Sequence, residues 1–277
     1  MSVTSADVID QEAVRAEIDK YAQENRVWRQ AFRQIDSTNI DSNTVKVPVQ
    51  DKARNAGVVD EGGAYPSSGD ATRKVPVDHD KYGVEVELTY ESIEDALLDV
   101  IALHTEENAE DLADALDEAA YAEISDYDST NEVYNNLQDE PIGDAAGTLG
   151  YAEVIDAMTA LEGEAFDPDL LVVSAESKGD LMKSEEFTRA SQMGDDVVRD
   201  GAFGEVAGVP VFVENGGNLG AGEAVMFDSS SYGIESKRKE LSSLEYENEG
   251  ENKRIIQVHT RIGWNAIRPE AGVKIEG

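Results

Sequence analysis

The chain has 277 residues, with 23 Lys and Arg against 59 Asp and Glu, a formal net charge of −36, and no Cys. The missing thiols exclude disulfide frameworks, zinc–thiolate sites, iron–sulfur clusters and cysteine nucleophiles, and a pI near 4.2 argues against nucleic-acid binding through the mean field of the surface. An apolar content of 40% sustains a folded core, in one large or two modest domains.

No stretch approaches the roughly 18–20 apolar residues that span a bilayer, and the first residues lack the basic flank and apolar run of a signal peptide. A soluble chain outside the secretory route is predicted. The acids are spread along the whole chain instead of gathered in a tail. Such self-repulsion is costly in dilute buffer, whereas near molar salt the Debye length falls to about 3 Å and screens most of it. The pattern, with its scarcity of lysine, predicts a halophilic source.

Residues 7–35 read as an amphipathic helix, because Val8, Val14, Ile18, Tyr21, Trp28, Phe32 and Ile35 recur at helical spacing. Arg26, Arg29 and Arg33 would share another face, the one locally basic stretch. Two KVPV strings follow, Val45-Lys46-Val47-Pro48-Val49 and Lys74-Val75-Pro76-Val77, each alternating with period two. Their prolines restrict them to edge strands. Between them lie Gly57, Gly62, Gly63, Pro66 and Gly69, so the segment reads as an extended hairpin arm with a glycine-rich tip. Its second limb is expected to continue through Tyr82 to Tyr90.

Ser92 then opens a helix whose apolar stripe is Ile93, Leu97, Val100, Ile101, His104, Leu112, Leu116 and Ala119, about 30 residues and about 45 Å long. A polar break at 126–141 precedes a second helix over 151–162, with Val154, Ile155, Met158 and Leu161 inward. The apolar run 170–174 predicts a buried strand and 177–183 a short helix. Beyond this the chain is mainly β: a glycine-punctuated turn at 201–208 leads into a strand at 209–213, another strand covers 224–227, and long alternating segments at 232–249 and 254–267 meet at a hairpin turn. Residues 269–275 close the chain. Strands and helices are not regularly interleaved, so the class is α+β.

Catalytic templates fail. The Gly63–Gly69 stretch is followed by Asp70 where a P-loop needs Lys, Gly201, Gly204 and Gly208 lead into a strand instead of a helix, and no GxSxG is present. His79, His104 and His259 lie far apart with no HExxH. Asp78-His79-Asp80 could ligate a divalent ion, but a solvated turn is favoured. His104 fits a packed core histidine, and His259 alternates within a strand. With 59 acids, carboxylate pairs carry no information. No catalytic, cofactor-binding or metal residue is assigned, and no cofactor is expected; a halophilic hydrolase is the other-class alternative.

The order of arm helix, hairpin arm, rod helix, α/β lobe and returning long strands resembles the major capsid proteins of tailed viruses, the Hong Kong 97 fold. The strings carrying the resemblance are Glu91-Ser92-Ile93-Glu94-Asp95-Ala96, Leu171-Val172-Val173-Ser174-Ala175, Gly208-Val209-Pro210-Val211, and Arg261-Ile262-Gly263-Trp264 followed by Pro269-Glu270-Ala271. The resemblance implies an N-terminal arm (1–43), an E-loop hairpin (44–90) lying across a neighbouring subunit, a peripheral domain with its spine helix (91–149 and 231–263) and an axial domain (150–230 and 264–277). It implies a shell of pentamers and hexamers around double-stranded DNA, assembled in the host cytoplasm of a haloarchaeal virus and located in the virion, with portal and minor capsid proteins as further partners and no membrane. A proline-bearing, glycine-tipped hairpin needs a partner's surface, so Val45, Val47, Val49, Val75 and Val77 are the expected inter-subunit contacts. Arg26, Arg29 and Arg33 would face the packaged genome or, alternatively, pair with acidic neighbours; Lys237, Arg238 and Lys239 are open between neighbour contacts and solvent. The arm helix begins within about ten residues of Met1, which implies a separate scaffold or none, and Lys52 finds no assignable Asn and Glu partners for a crosslink. Encapsulins share this fold and are the nearest alternative.

Overall fold

Trp28, Ala31 and Phe32 are buried by one turn of 3₁₀ helix, Trp28–Ala31, that runs directly into strand β1, Phe32–Asp36. The computed structural model describes residues 27–40, 42–50, 57–59, 61, 63, 65, 72–90, 100–128, 133–138, 141–143, 147–183, 204–248 and 250–277, with side chains of the long helix from 107 onward. The helix expected to reach residue 35 is therefore replaced over its last turns by a 3₁₀ turn and a strand; its earlier part lies outside the described residues.

After β1 come β2 (Thr44–Gln50), β3 (Thr72–Asp78), β4 (Asp80–Thr89) and helix α1 (Val100–Ile124). A short pair follows, β5 (Tyr127–Asp128) and β6 (Val133–Tyr134), then α2 (Tyr151–Gly163), β7 (Leu170–Ser174) and α3 (Ala175–Lys183). The rest is β8 (Glu205–Val206), β9 (Val209–Glu214), β10 (Glu223–Phe227), β11 (Gly233–Asn248), β12 (Lys253–Ala266) and β13 (Gly272–Glu276). The fold is α+β, as the sequence predicts.

One sheet has the order β1-β11-β12-β4, with β1 parallel to β11 and the other pairs antiparallel. Pairing of Phe32 with Gly233 through Asp36 with Lys237 makes residues 32–36 a strand despite their helical spacing. Gly233 is required beside it, since a Cβ there would stand 2.4 Å from the Phe32 ring. Helix α1 covers one face of this sheet. Its buried residues Ala109, Leu112, Leu116, Ala120 and Ile124 keep helical spacing and pack with Ile256, Val258, Ile262 and Trp264, each buried Leu or Ile contributing about 1.5–3 kcal/mol relative to exposure. Leu112 and Leu116 hold their predicted places, whereas the side chain of His104 lies outside the described residues.

The second sheet is β13-β10-β7-β9-β8, with β7 and β9 parallel. Strand β7 is buried on both faces: Leu170 and Val172 join the core under α1, while Leu171 and Val173 join a second core with Val154, Ala157 and Leu161 of α2. This is why its sequence is an unbroken apolar run. Ala207 and Gly208, both at positive φ, form the two-residue turn between Val206 and Val209. Tyr232, fully buried between Phe32 (5.5 Å) and Phe227 (4.7 Å), ties the two sheets together and donates its hydroxyl to the Asn136 carbonyl at 2.8 Å.

Candidate assembly surfaces

Strands β2 and β3 form their own two-stranded sheet, with its ladder running from Thr44 opposite Asp78 to Gln50 opposite Thr72. Pro48 faces Lys74 and Pro76 faces Lys46, so both prolines fall on the same parity, the positions whose backbone nitrogen points out of the ladder. The opposite parity places Val45, Val47, Val49, Val75 and Val77 on one face. That face is turned inward: Val49 and Val75 form a small core with Ile234 and Ile267, with Ile35 and Val47 against it, and Val77 is fully buried. The expectation that these valines touch a neighbouring subunit is thus corrected for Val49, Val75 and Val77, which pack within the chain; Val45 and Val47 are half-buried.

Three contacts explain why the base lies at home. A Cβ on Gly263 would stand 1.9 Å from the Asp78 carbonyl, so this glycine admits β3 onto the end of β12. Asn265 donates to the Pro76 carbonyl at 2.9 Å, and Arg73 donates to the Ile267 carbonyl. His79, buried at the junction of β3 and β4, completes the clamp, with its ring nitrogens 2.6 Å from the Asn43 carbonyl and 2.8 Å from Ser236 Oγ, which itself meets Ser37 Oγ at 2.6 Å. Asp78 and Asp80 are exposed. The triplet is therefore neither a solvated turn throughout nor a ligand set, and His79 is a structural clamp. Past it, β4 leaves the hairpin and pairs with β12 from Thr89 opposite Lys253 to Asp80 opposite Ile262, so the arm proper ends at Asp78.

The tip is different. Val58 is 99% exposed and Tyr65 86% exposed, with Glu61 also in solvent.

The three arginines part company. Arg26 lies outside the described residues, Arg33 is exposed on β1, and Arg29 is buried. Arg29 donates to Glu235 through Nε at 2.8 Å and Nη2 at 3.0 Å, and Trp264 Nε1 donates to the same carboxylate at 3.1 Å. A genome-facing role for Arg29 is thereby overturned in favour of an internal salt bridge. Burial pushes the Glu235 carboxyl up, but the hydrogen bonds and charge of Arg29 outweigh it and leave the group below its ordinary 4.5. Asp117 of α1 receives the backbone N–H groups of Val27 (3.1 Å) and Arg29 (3.1 Å); burial nevertheless raises it above its ordinary 3.8.

The face of β4, β12 and β11 opposite α1 carries an unusual set for so acidic a chain. His259 stands opposite Gly83 on one side and Ser242 on the other, and Arg261 opposite Lys81 and Lys239. Lys239 Nζ lies 2.6 Å from His259 Nε2, so the imidazole accepts; burial and the charges of Lys239 and Lys81 lower its pKa below 6.5. Farther along, Leu244 is 52% and Tyr246 41% exposed.

A cavity of about 570 Å³ between α1 and the β9–β10 connection is lined by Asp114, Asp117, Glu118 and Glu214. Among the described residues, no three His, Asp or Glu side chains converge to hold a metal ion, and no helix is long and apolar enough to cross a membrane.

The fold, with a long helix across a four-stranded sheet and a second mixed sheet, is shared by solved structures. A structure from Mycobacterium phage Che8 covers 91% of this chain and 91% of its own, with 16% identity and a TM-score of 0.67. The capsid of a native GTA particle gives 15% identity, 93% and 91% coverage and a TM-score of 0.64. A virus-like particle from Pyrococcus furiosus gives 14% identity, 97% and 100% coverage and a TM-score of 0.61. Comparison with curated protein sequences returns no match. The family model described as phage capsid protein matches residues 72–275, so the chain belongs to the phage capsid protein family. It is a major capsid protein, a structural subunit that forms a shell.

Proposed function

We propose that the chain is a Hong Kong 97-type subunit that closes through pentamers and hexamers into the icosahedral capsid of a haloarchaeal tailed virus, around double-stranded DNA. On this reading 44–90 is the E-loop segment, its hairpin arm ending at Asp78 and its return strand β4 joining the sheet of β12, while 91–149 and 231–263 form the peripheral domain and 150–230 with 264–277 the axial domain. The observation that carries it is the divided hairpin. Its base is buried against Ile234 and Ile267, while Val58 at its tip has almost no contact in its own chain. A rigidly mounted arm with an unsatisfied end is a part built for a lattice.

The halophilic element rests on charge. Helix α1 carries acids at 106, 107, 110, 111, 114, 117, 118 and 123 and no Lys or Arg. Packed many times over in one shell, such faces require the short screening length of concentrated salt. Arg33, exposed on β1, is then a basic group available to the genome side. Expression of the chain in concentrated salt, followed by electron microscopy, tests the reading: closed particles support it, and DNA in tailed particles purified from the virus's host separates it from a protein-filled compartment.

A further inference from the structure

We propose that the face of β4, β12 and β11 opposite α1 holds a site for a tetrahedral inorganic oxyanion of the phosphate or sulfate class, with Lys81, Lys239 and Arg261 as donors and the depression beside His259 as its seat. The site goes beyond the shell reading and does not depend on it.

Three cations lie side by side here. Arg261 of β12 stands directly opposite Lys81 of β4 and opposite Lys239 of β11, across strands about 4.8 Å apart. Like charges placed directly opposite one another repel, and a chain with 59 acids has carboxylates enough to neutralise them. It does not use them for this. Among the described residues, no carboxylate forms an ion pair with any of the three. The acids farther along the same face are turned to other partners: Glu85 accepts from the Gln257 amide, and Glu87 from Lys253 at 2.7 Å. Arg261 donates from Nη2 to the Asn43 side chain at 2.6 Å, while its Nε is enclosed and meets no acceptor.

The behaviour of Lys239 shows the same deficit. In place of an anion, its ammonium donates to His259 Nε2 at 2.6 Å. With Nε2 accepting, the ring proton sits on Nδ1 and the imidazole is neutral. Burial, together with the charges of Lys239 and Lys81, holds its pKa below 6.5. An anion between the ammonium groups relieves this repulsion.

Space and charge then select the ligand. Gly83 contributes no side chain opposite His259, and a depression of about 250 Å³ opens there, bordered by Lys81 and His259. That is room for a small ion with several waters of about 30 Å³ each, not for a duplex. The net charge of −36 also repels a polyanion as a whole, whereas in salt a small ion is screened from distant acids and meets only the local cations. A tetrahedral oxyanion accepts from several donors at once and suits a guanidinium, and its double charge favours it over chloride.

Equilibrium dialysis of the full-length chain against radiolabelled inorganic phosphate, at ionic strength fixed with sodium chloride, tests the site in free or assembled chains alike. Saturable binding is expected, with sulfate competing. Lys81→Gln combined with Lys239→Gln is expected to weaken it about tenfold, the size of effect that loss of charged hydrogen bonds produces. Lys183→Gln, which removes an exposed cation paired with Asp180 on α3, is expected to leave it unchanged. The histidine proton resonances of the unassembled chain supply a second readout, with His259→Gln assigning the ring. Sulfate, whose charge is constant over the titration, is expected to raise the His259 pKa at fixed ionic strength, because a bound anion offsets the two ammonium groups. The doubly substituted chain is expected to show a raised value without sulfate and no further response to it. Absence of saturable binding, binding that survives the double substitution, or an equal His259 shift in chloride alone would each overturn the proposal. Retention of duplex DNA in preference to phosphate at the same ionic strength would overturn it too, by making this face a polyanion surface.

Discussion

Arg29 and Glu235 form a two-pronged ion pair, 2.8 and 3.0 Å, almost wholly out of solvent. It fastens the entry of the chain to β11 across 206 residues of sequence. Removing either partner strands the other charge in the interior, at a cost of about 3–5 kcal/mol. Arg29→Met or Glu235→Gln is expected to lower the urea midpoint of the unassembled chain sharply, whereas Arg29→Met combined with Glu235→Leu is expected to recover much of the loss. Equal damage from the double and single variants would contradict this.

The same pair sets an acid limit. The folded Glu235 value lies below the ordinary 4.5 of the unfolded chain, so its contribution is fully present above that value and is lost as pH falls through the folded one. Asp117 runs the other way, because its raised folded value favours the folded state once it is protonated. Unfolding measured from pH 7 down to 3 is expected to show a steeper stability loss in the parent chain than in Glu235→Gln.

The hairpin mount offers a third prediction. His79→Ala removes one of two partners from Ser236 Oγ, which keeps Ser37, and from the Asn43 carbonyl, which keeps the backbone N–H of residue 79, and is expected to cost about 0.5–1.5 kcal/mol. Gly263→Ala forces a Cβ toward the Asp78 carbonyl, so the hairpin base must lift. The expected result is a folded chain by circular dichroism whose assembly yield falls more steeply than its thermal midpoint.

Much of this is legible in the sequence. The KVPV alternation, the stripe of Leu112 and Leu116, the doubly buried 170–174 run and the turn before Lys253 are local patterns, and local pattern is what periodicity reports. What escaped is tertiary. Residues 32–36 keep helical spacing yet become a strand because β11 offers a parallel partner. The direction in which Val75 and Val77 face depends on Gly263 and Ile267, nearly 190 residues away. His79 became a clamp through Ser236, and the cations of the sheet face converge only once β4, β11 and β12 are paired. The one available signal was the isolated Gly83 and Gly263 within strand patterns, which mark close backbone approach.

Salt supplies a fourth prediction. Shells of subunits at −36 each are expected to loosen on dialysis from molar to millimolar salt, seen as a fall in scattered light and a shift toward free subunits. Particles unchanged in millimolar buffer would contradict the halophilic element alone.

Imaging decides the central claim. The purified chain, concentrated in molar salt and viewed by negative-stain or cryo-electron microscopy, is expected to show closed hollow particles of uniform diameter with hexameric and pentameric units. A monodisperse monomer at every concentration and salt tried, with no ordered assembly, would contradict the account.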